Sequence, residues 1–426
     1  MKVLWVLNMV LPFVAKELSL KTSFSGGWLV DYATQLSANE NIELATITYA
    51  NVDKPIDAMV GNIRNFIFPG AGKRLLLNSK QCLRDCKKVI EEFHPDVIHI
   101  HGTEYSIGYS MIKLQLDIPI LLTIQGILTR ISEEYYGGLS NRAIIYMASI
   151  KDWLRLKTPY FTKKLFQKNA KREQYVLKNV KYVTGRTEWD KSVMLSINSK
   201  LQYYRLNYNL REEFYNAKKW KMEEFQPYTI YSGASTYPLK GLHILIEALR
   251  ILKQKFPMVK LLVPGSASKN GQLIHPNAYE RYIIKKISTY NLQDNVEFIG
   301  RKNASEVADI LSKVNVCVVT SAMEGASATI CEAMMIGTPC VCAYRGGMTD
   351  LLRDGESGYY YDFPEYSVLA MRLENLFMDR NLCKQFSDYA QQDAQKRHNR
   401  AKNIICLKEI YKTVIEEATK DVKSEN

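Results

Sequence analysis

Two glutamates with seven residues between them are the most informative chemical feature of the sequence. Glu324 opens this run and Glu332 closes it, and the continuous apolar stretch 316–320 comes just before it. That stretch predicts a strand buried on both faces, and Ser327 then has the residue type of a helix N-cap. The free N–H groups of such a helix start suit a phosphate.

The two carboxylates fit a ligand that carries hydroxyl groups in two places. Glu332 lies about two helical turns from Glu324, so one carboxylate can face a sugar at the helix mouth while the other reaches a deeper ribose. Carboxylates accept hydrogen bonds from hydroxyls, and a nucleotide sugar offers hydroxyls at both places. The alternative is a pair of solvated helix carboxylates without a ligand.

Glycines and a lysine follow two other predicted strands. Gly26 and Gly27 open a helix after the loop that follows the first strand, and paired glycines let a backbone approach a ligand closely. In the second half, Gly233 and the pair Lys240 and Gly241 follow a predicted strand, which places an ammonium beside another positive helix end. The alternative for each is an ordinary turn.

His99 and His101 alternate on a predicted strand and would point to the same side of the sheet. Two such imidazoles can begin a metal site. The sequence offers no third ligand at a suitable spacing and no Asp-x-Asp pair. We therefore interpret them as histidines at a strand end and expect no metal site.

The elements that must position these residues alternate between strand and helix along almost the whole chain, which is typical of parallel α/β proteins. The predicted strands are residues 3–8, 42–48, 97–101, 120–125, 182–184, 229–232, 261–264, 296–299, 316–320 and 340–343. Each half has enough strands for its own doubly wound sheet, and the polar residues 216–227 form the predicted linker. A length of 426 residues also favours two domains.

Composition places the chain among globular proteins of a reducing compartment. The first fourteen residues superficially mimic a signal peptide, but Asn8 and Pro12 interrupt the apolar run, so a buried first strand is the better interpretation. No apolar run is long enough to span a bilayer. Most of the eight cysteines lie in apolar runs, like core residues. We therefore expect a cytoplasmic protein.

The positive charge is concentrated in one part of the chain. Residues 141–220 hold 18 Lys and Arg against 6 Asp and Glu, which is nearly the whole net charge of +13. Aromatic residues are interleaved with these charges. Anionic lipid headgroups, a lipid-pyrophosphate acceptor or nucleic acid would be attracted, but no nucleic-acid motif accompanies the charges. An anionic membrane surface is the favoured partner, and a solvated basic helix face is the alternative.

Taken together and in order, these features resemble the retaining glycosyltransferases of the GT-B fold, specifically glycosyltransferase family 4. The segments that carry the resemblance are the first strand with Gly26 and Gly27, then residues 95–101, 123–126, 185–190, 233–241, 324–334 and 346–358. The resemblance covers residues 1 to about 395.

The resemblance implies two Rossmann-like doubly wound domains that face a central cleft. Residues 1–220 would bind the acceptor, residues 221–395 would bind the nucleotide sugar, and residues 396–426 would pack back on the N-terminal domain. The implied reaction moves a sugar, with retention at the anomeric carbon, to a lipid-linked or polysaccharide acceptor. The donor is a co-substrate, with a mild preference for UDP-sugar, and no cofactor or catalytic metal is implied.

The resemblance also assigns roles to individual residues. Lys240 would neutralise the donor pyrophosphate, and Glu332 would hold the ribose hydroxyls. The remaining donor contacts are implied for Glu324 with the amides of Gly325, Ala326 and Ser327, for Gly26 and Gly27, for Gly233, and for the turn of Gly300 and Arg301. Catalytic roles are implied for Glu324, Lys240 and Gln125.

The sequence departs from the family pattern at three positions. Gln125 stands where histidine is usual, Ala234 where arginine is usual, and Asp350 where glutamate is common. These departures keep open a catalytically silent GT-B scaffold that binds nucleotide, although Glu324, Glu332 and Lys240 argue against it. A nucleotide-sugar epimerase would need an acid/base pair that the sequence does not show.

Overall fold

The computed structural model of the protein describes residues 1–21, 27–70, 79–233 and 237–424. The chain divides into two compact units. The first unit comprises residues 1–129, 167–209 and 398–426, and the second comprises residues 130–166 and 210–397. The boundary thus lies at residue 209 rather than at residue 220, and a segment of 37 residues (130–166) from the first half of the chain belongs to the second unit.

The secondary structure alternates as the sequence predicts. The strands are β1 Lys2–Val6, β2 Glu43–Ala50, β3 Ile56–Val60, β4 Ile63–Pro69, β5 Val97–His101, β6 Ile120–Thr123, β7 Tyr182–Gly185, β8 Gln202–Arg205, β9 Gln226–Tyr231, β10 Lys260–Pro264, β11 Ser268–Lys269, β12 Gln272–Leu273, β13 Val296–Gly300, β14 Val314–Val319, β15 Cys340–Ala343 and β16 Tyr359–Tyr361. The helices are α1 Pro12–Glu17, α2 Gly27–Ser37, α3 Ser79–Phe93, α4 Ser106–Lys113, α5 Leu128–Glu134, α6 Asn141–Met147, α7 Ile150–Leu154, α8 Pro159–Asn179, α9 Glu188–Ile197, α10 Glu212–Asn216, α11 Leu242–Lys255, α12 Ala278–Thr289, α13 Ala304–Lys313, α14 Ala328–Ile336, α15 Tyr366–Met378, α16 Arg380–Arg397 and α17 Arg400–Ser424.

The first unit is built on a sheet whose described strands follow the order β3-β4-β2-β1-β5-β6-β7-β8. All neighbours are parallel except β3 and β4, which form an antiparallel hairpin at one edge. Alternate residues of β1 serve opposite faces: Leu4 packs with α3 and α4, whereas Trp5 packs with α2 and α17. Each fully buried side chain of this size contributes about 1.5–3 kcal/mol.

The C-terminal helix α17 belongs to the first unit. The indole Nε1 of Trp5 donates a hydrogen bond of 2.9 Å to the hydroxyl of Tyr411, and both side chains are buried. At the start of α17, Arg400 pairs with the carboxylate of Asp31 on α2. One face of the first sheet is therefore covered by residues from both ends of the chain.

The second unit has a parallel sheet whose described strands follow the order β13-β10-β9-β14-β15-β16. All residues of β14 are buried, as expected for a central strand covered on both faces. Helix α11 buries Leu242, Leu245, Leu249 and Leu252, which share one helical face. The prediction of two doubly wound α/β domains is confirmed.

The ten predicted strands are all present, and the sequence interpretation missed shorter elements, notably the β3–β4 hairpin, β8 and β16. All eight cysteines are free thiols, and seven of them are buried. Within the described residues, no helix combines the length and the apolar character needed to cross a bilayer.

Candidate active site

The order of strands in the second unit creates a topological switch point between β9 and β14. From β9 the chain proceeds to β10 and β13 on one side, and it returns through β14 to β15 and β16 on the other. In open α/β sheets, ligands bind outside the carboxyl ends of the strands at such a point. The loops that carry Lys240 and Glu324 follow these two strands.

Backbone contacts hold the Lys240 turn against the end of β14. The hydroxyl of Thr320 donates to the carbonyl oxygen of Lys240 at 3.0 Å, and the amide of Ala322 donates to the carbonyl oxygen of Leu239 at 2.8 Å. Gly241 has φ +70°, and a Cβ there would lie 1.9 Å from the Thr320 carbonyl oxygen. Only glycine permits this close approach, so the turn that places Lys240 depends on it.

Lys240 and Glu324 form an ion pair through Nζ and Oε1. The hydroxyl of Ser321 donates a second hydrogen bond of 2.9 Å to the same carboxylate oxygen. Burial lowers the pKa of Lys240, but the carboxylate of Glu324 and the hydroxyl of Tyr237 outweigh burial and raise it above its usual value. Lys240 therefore carries a fixed positive charge at the switch point.

A third loop fixes the backbone of Glu324. The amide of Gly347 donates to the Glu324 carbonyl oxygen at 2.9 Å. Gly346 has φ +60°, and a Cβ there would lie 2.2 Å from the same oxygen. The backbone of Gly346 and Gly347 thus packs on Glu324, which explains why a glycine occurs at position 346.

Helix α14 begins directly after this carboxylate. Ser327 is its N-cap residue, as predicted, although the Ser327 side chain makes no capping hydrogen bond. Gly325 and Ala326 lie in the bend before it. The first amides of a helix have no partner within the helix, and the helix dipole adds partial positive charge there. This end of α14 is suited to an anionic group.

Glu332 lies in the middle of α14 and pairs with an arginine that the sequence analysis missed. Arg211 donates from Nε at 3.0 Å and from Nη2 at 2.8 Å to the Oε1 atom of Glu332. Burial raises the pKa of Glu332 to about 6, and Arg211 limits that rise. Within the described part of the chain, no donor contacts Oε2, which can accept a hydrogen bond from a ligand.

Other predicted donor residues lie at the same edge of the second sheet but do not all meet. Gly233 follows β9 and is exposed, with the side chain of Thr329 near its Cα. Gly300 ends β13 with φ +72°, and Arg301 after it is exposed. No contact joins Arg301 to Lys240 or Glu324 in the described residues, because β10 and β9 lie between β13 and β14.

A buried serine hydroxyl lies beside these residues without a protein partner. Ser232 directly follows β9 and is fully buried, and its Oγ finds no hydrogen-bond partner in the part of the chain that the structure describes. A buried polar atom without a partner costs about 1–3 kcal/mol. This cost is avoided if a ligand or water supplies the missing bond at the end of β9.

The remaining predicted site residues belong to the first unit or are not described. Gly27 is the first residue of α2, as predicted. Gln125 follows β6 and donates from Nε2 to the His101 carbonyl oxygen at 3.1 Å. Gly26 and Ala234 lie outside the described residues, so the structure does not bear on them.

A polar cluster that the sequence analysis did not find surrounds Gln125. The side-chain Nδ2 of Asn8 donates to the His101 carbonyl oxygen and to the Glu104 carboxylate, each at 3.1 Å. These residues follow β1, β5 and β6. Burial, reinforced by the charge of Glu173, raises the pKa of Glu104 to about 7. The carboxyl ends of the first sheet therefore hold a carboxyl group that titrates near neutrality.

We expect the variant Glu104→Gln to be more stable than the wild type above neutral pH. The pKa of Glu104 is raised in the folded state, so its contribution to stability is present below the usual carboxyl pKa and is lost as the pH rises through about 7. The gain should reach at most about 3 kcal/mol. Thermal unfolding measured at about pH 5 and about pH 8 tests this, and equal gains at both values would contradict it.

His99 and His101 form part of an aromatic core rather than an open site. His99 contacts the hydroxyls of Tyr411 and Thr123, each at 2.6 Å, and the ring of His101 lies 3.9 Å from that of His99. Burial lowers the pKa of His99 to about 3. The described residues contain no group of three side chains placed to hold a metal ion.

Three residues that complete the site were not predicted from the sequence. Arg211 and Thr320 reach Glu332 and Lys240 through tertiary packing, across 121 and 80 residues of sequence. Ser321 bonds Glu324 across only three residues, but no residue spacing in the sequence indicated this contact.

Most of the second unit is similar to a known protein family. Residues 214–393 match the family described as Glycosyl transferases group 1. WcaL of Escherichia coli (strain K12), a candidate colanic acid biosynthesis glycosyltransferase, is 32% identical over 153 residues, which are 34% of this chain and 35% of WcaL. The alignment thus spans about a third of that relative.

Two solved structures resemble the whole chain. Sucrose-phosphate synthase from Thermosynechococcus elongatus has a TM-score of 0.69 at 16% identity, with 98% of this chain and 99% of that chain covered. Anabaena Alr3699/HepE in complex with UDP has a TM-score of 0.65 at 16% identity, covering 97% and 100%. The chain has the GT-B fold.

Proposed function

We propose that this protein, which carries a glycosyl transferases group 1 domain on a GT-B fold, is a retaining glycosyltransferase of family 4. It would move a sugar from a nucleotide-sugar donor to a lipid-linked or polysaccharide acceptor in surface or exopolysaccharide biosynthesis. The observation that carries the proposal is the pairing of Lys240 with Glu324 at the switch point of the second sheet.

The chemistry of this pair suits loss of a nucleoside diphosphate. As the bond from the anomeric carbon to the diphosphate oxygen breaks, negative charge develops on the leaving group. Fixed positive groups aimed at that charge stabilise the transition state more than the ground state. Lys240 and the start of α14 supply such groups, and Glu324 is placed to accept hydrogen bonds from sugar hydroxyls.

Glu332 and Ser232 supply further contacts for the nucleotide part of the donor. The Oε2 atom of Glu332 would accept a hydrogen bond from a ribose hydroxyl, and the unpaired hydroxyl of Ser232 would bond a phosphate or ribose oxygen. We propose that the donor is a UDP-sugar, because HepE, which shares the fold, was solved in complex with UDP. We also propose that Gln125 contacts a sugar hydroxyl.

The acceptor and its location are proposed from a relative's name and from the state of the cysteines. WcaL is linked by name to colanic acid, a polysaccharide. The free cysteines fit a reducing compartment, so we place the reaction on the cytoplasmic side of the membrane. A lipid-linked acceptor would explain a basic surface on the protein.

A donor screen tests the proposed activity against the alternative of a silent scaffold. Purified protein is incubated with UDP-, GDP- and ADP-linked hexoses, and release of the free nucleotide is followed together with the thermal shift that each donor causes. We expect one donor both to stabilise the protein and to be slowly hydrolysed. Stabilisation without any nucleotide release, in the presence of a membrane extract that supplies acceptor, would favour the scaffold.

Retention is tested on the product of the same reaction. The anomeric configuration of the transferred sugar, determined by its one-bond carbon–hydrogen coupling in NMR, should match that of the donor. An inverted product would contradict the proposed mechanism while leaving glycosyl transfer intact.

We further expect activity without an added divalent ion. Lys240 and the α14 N-terminus supply the positive charge that a metal would otherwise provide. Nucleotide release should therefore be unchanged in excess EDTA. Strong loss in the chelator, restored by Mn²⁺, would contradict this expectation.

A further inference from the structure

The segment 141–166 in the second unit combines basic charge with exposed apolar side chains. It contains 6 Lys and Arg and a single acidic residue, Asp152. The carboxylate of Asp152 is already paired with Arg281 on α12. Three further basic side chains of this segment, Lys151, Arg155 and Lys157, are exposed.

Large apolar side chains on the same short helices face solvent. Ile150 is 81% exposed and Leu154 is 80% exposed, although globular proteins normally bury such residues. The exposed apolar set, which we call the apolar surface, comprises Ile145, Tyr146, Ile150, Leu154, Leu156 and Tyr160. A cluster of this kind on a folded surface indicates a partner or a membrane.

Leu156, one of these exposed side chains, has an unfavourable backbone conformation. It follows the C-cap of α7, and its φ is +55°. This left-handed conformation at a helix end is the position that glycine normally occupies, because a side chain is disfavoured there. A leucine that is 62% exposed gains little from burial in the protein to offset that cost.

The helices that carry the apolar surface are attached to a rigid part of the second unit. Helix α6 packs against α12, and Asp152 caps α7 through a reciprocal bond with Ser149. The imidazole of His243 on α11 contacts the Gly137 carbonyl oxygen at 2.9 Å. The exposed side chains are therefore presented by an ordered base.

A cavity opens between α6 and α12 beside the apolar surface. Its volume is about 380 Å³, and it is lined on one side by Tyr146 and on the other by Arg281, Lys285 and Lys286. Lys286 is neutralised by Glu247 and Arg281 by Asp152. Lys285 is exposed and adds a further positive charge. The cavity can accept a phosphate group next to an apolar face.

We propose that the apolar surface and its basic neighbours on residues 141–164, with Lys285, dock the protein on an anionic lipid bilayer. The apolar side chains would enter the interfacial region, and the basic side chains would lie at the level of the lipid phosphates. The combination of positive charge with exposed Ile, Leu and Tyr fits this occupant better than a neutral protein surface. The inference does not depend on the proposed reaction.

The sequence analysis treated residues 141–220 as one basic stretch, and the proposal assigns membrane binding to its first part. Residues 167–209 carry 9 Lys and Arg against 3 acidic residues, but they belong to the first unit. The basic side chains that lie within a few residues of the apolar surface in the sequence are those of 141–164. Lys168, Lys171 and Lys178, exposed on α8, provide a matched control for charge alone.

Sedimentation with liposomes tests the role of the apolar side chains. Wild type should bind vesicles of phosphatidylcholine with phosphatidylglycerol more tightly than vesicles of phosphatidylcholine alone. The double variant Ile150→Ser with Leu154→Ser should bind the anionic vesicles at least about tenfold more weakly, a change of about 1.4 kcal/mol. The control Met258→Ser, at a residue 74% exposed elsewhere in the unit, should bind like the wild type.

Leu156→Gly separates membrane docking from a folding defect. Glycine relieves the left-handed conformation, so the variant should melt no lower than the wild type and yet bind anionic vesicles more weakly. Binding that is unchanged in this variant and in the double variant would overturn the proposal.

Charge reversal and oligomeric state complete the test. Changing Lys151, Arg155 and Lys157 together to Glu should abolish binding to anionic vesicles and leave donor hydrolysis intact. Changing Lys168, Lys171 and Lys178 together to Glu should weaken vesicle binding less. Equal loss in both triple variants would overturn the assignment to this segment.

A dimer in solution that the double serine variant dissociates would show that a second copy, not a bilayer, covers the apolar surface.

Discussion

Replacing Lys240 with alanine is expected to lower kcat for donor turnover by about 10²–10³-fold. This is the usual effect of removing one preorganised group that stabilises developing charge. Lys240 meets this description because its position is fixed by the Thr320 hydroxyl and its charge by the Glu324 carboxylate. The loss should appear in kcat as much as in kcat/KM, since the interaction strengthens in the transition state.

Controls on the same turn separate chemistry from structure. Lys240→Arg keeps the positive charge and should retain more activity than Lys240→Ala. Both variants should keep the wild-type melting temperature within a few degrees, because the turn is held by backbone contacts that neither change removes. Near-normal kinetics in the alanine variant would mean that the diphosphate binds elsewhere.

Arg211→Gln is expected to raise the donor KM by about 10–10²-fold while leaving kcat nearly unchanged. Contacts to a ribose are made equally in the ground and transition states, so they act on KM. Without the guanidinium, burial would raise the pKa of Glu332 further above 6, and the carboxyl group would be protonated at neutral pH.

The pH dependence distinguishes this positioning role from simple loss of structure. The raised pKa means that Glu332 loses its charge as the pH falls through about 6 in the wild type, so the donor KM should rise below that value. In Arg211→Gln the same rise should begin at higher pH, and Arg211→Lys should restore part of the wild-type profile. A variant with raised KM but an unshifted profile would contradict the role of Arg211.

Glu332→Gln serves as the matched control for this pair. It removes the titrating group but keeps the size of the side chain and an acceptor oxygen. Its donor KM should be independent of pH between about 5 and 8, in contrast to the wild type.

Much of the fold could be predicted because the central strands carry their own signal. The buried runs of β14 and β15 are almost wholly apolar and are bounded by small residues, so their place in a parallel sheet follows from composition. The edge hairpin β3–β4 was missed, although residues 61 and 62 are Gly and Asn, which favour a two-residue turn. Its first strand is half exposed and therefore lacks a continuous apolar run.

Glu332, in the middle of α14, was predicted from its spacing to Glu324, and the other predicted residues of the site follow a strand or open a helix. Lys240, Glu324 and Ser327 occupy such positions. Arg211 and Glu104 were not predicted because their roles depend on partners 121 and 96 residues away in the sequence. The membership of residues 130–166 in the second unit is of the same kind, because the bond between Gly137 and His243 leaves no local trace.

The covering of the first sheet by α17 has a consequence for synthesis on the ribosome. Val3, Trp5 and Leu44 share a buried cluster with Leu407, Tyr411 and Val414. This face of the nascent sheet stays uncovered until residues 407–414 have left the exit tunnel, so the first unit cannot complete its fold while the second is being made. A chain released early would display that apolar face to chaperones and to other chains.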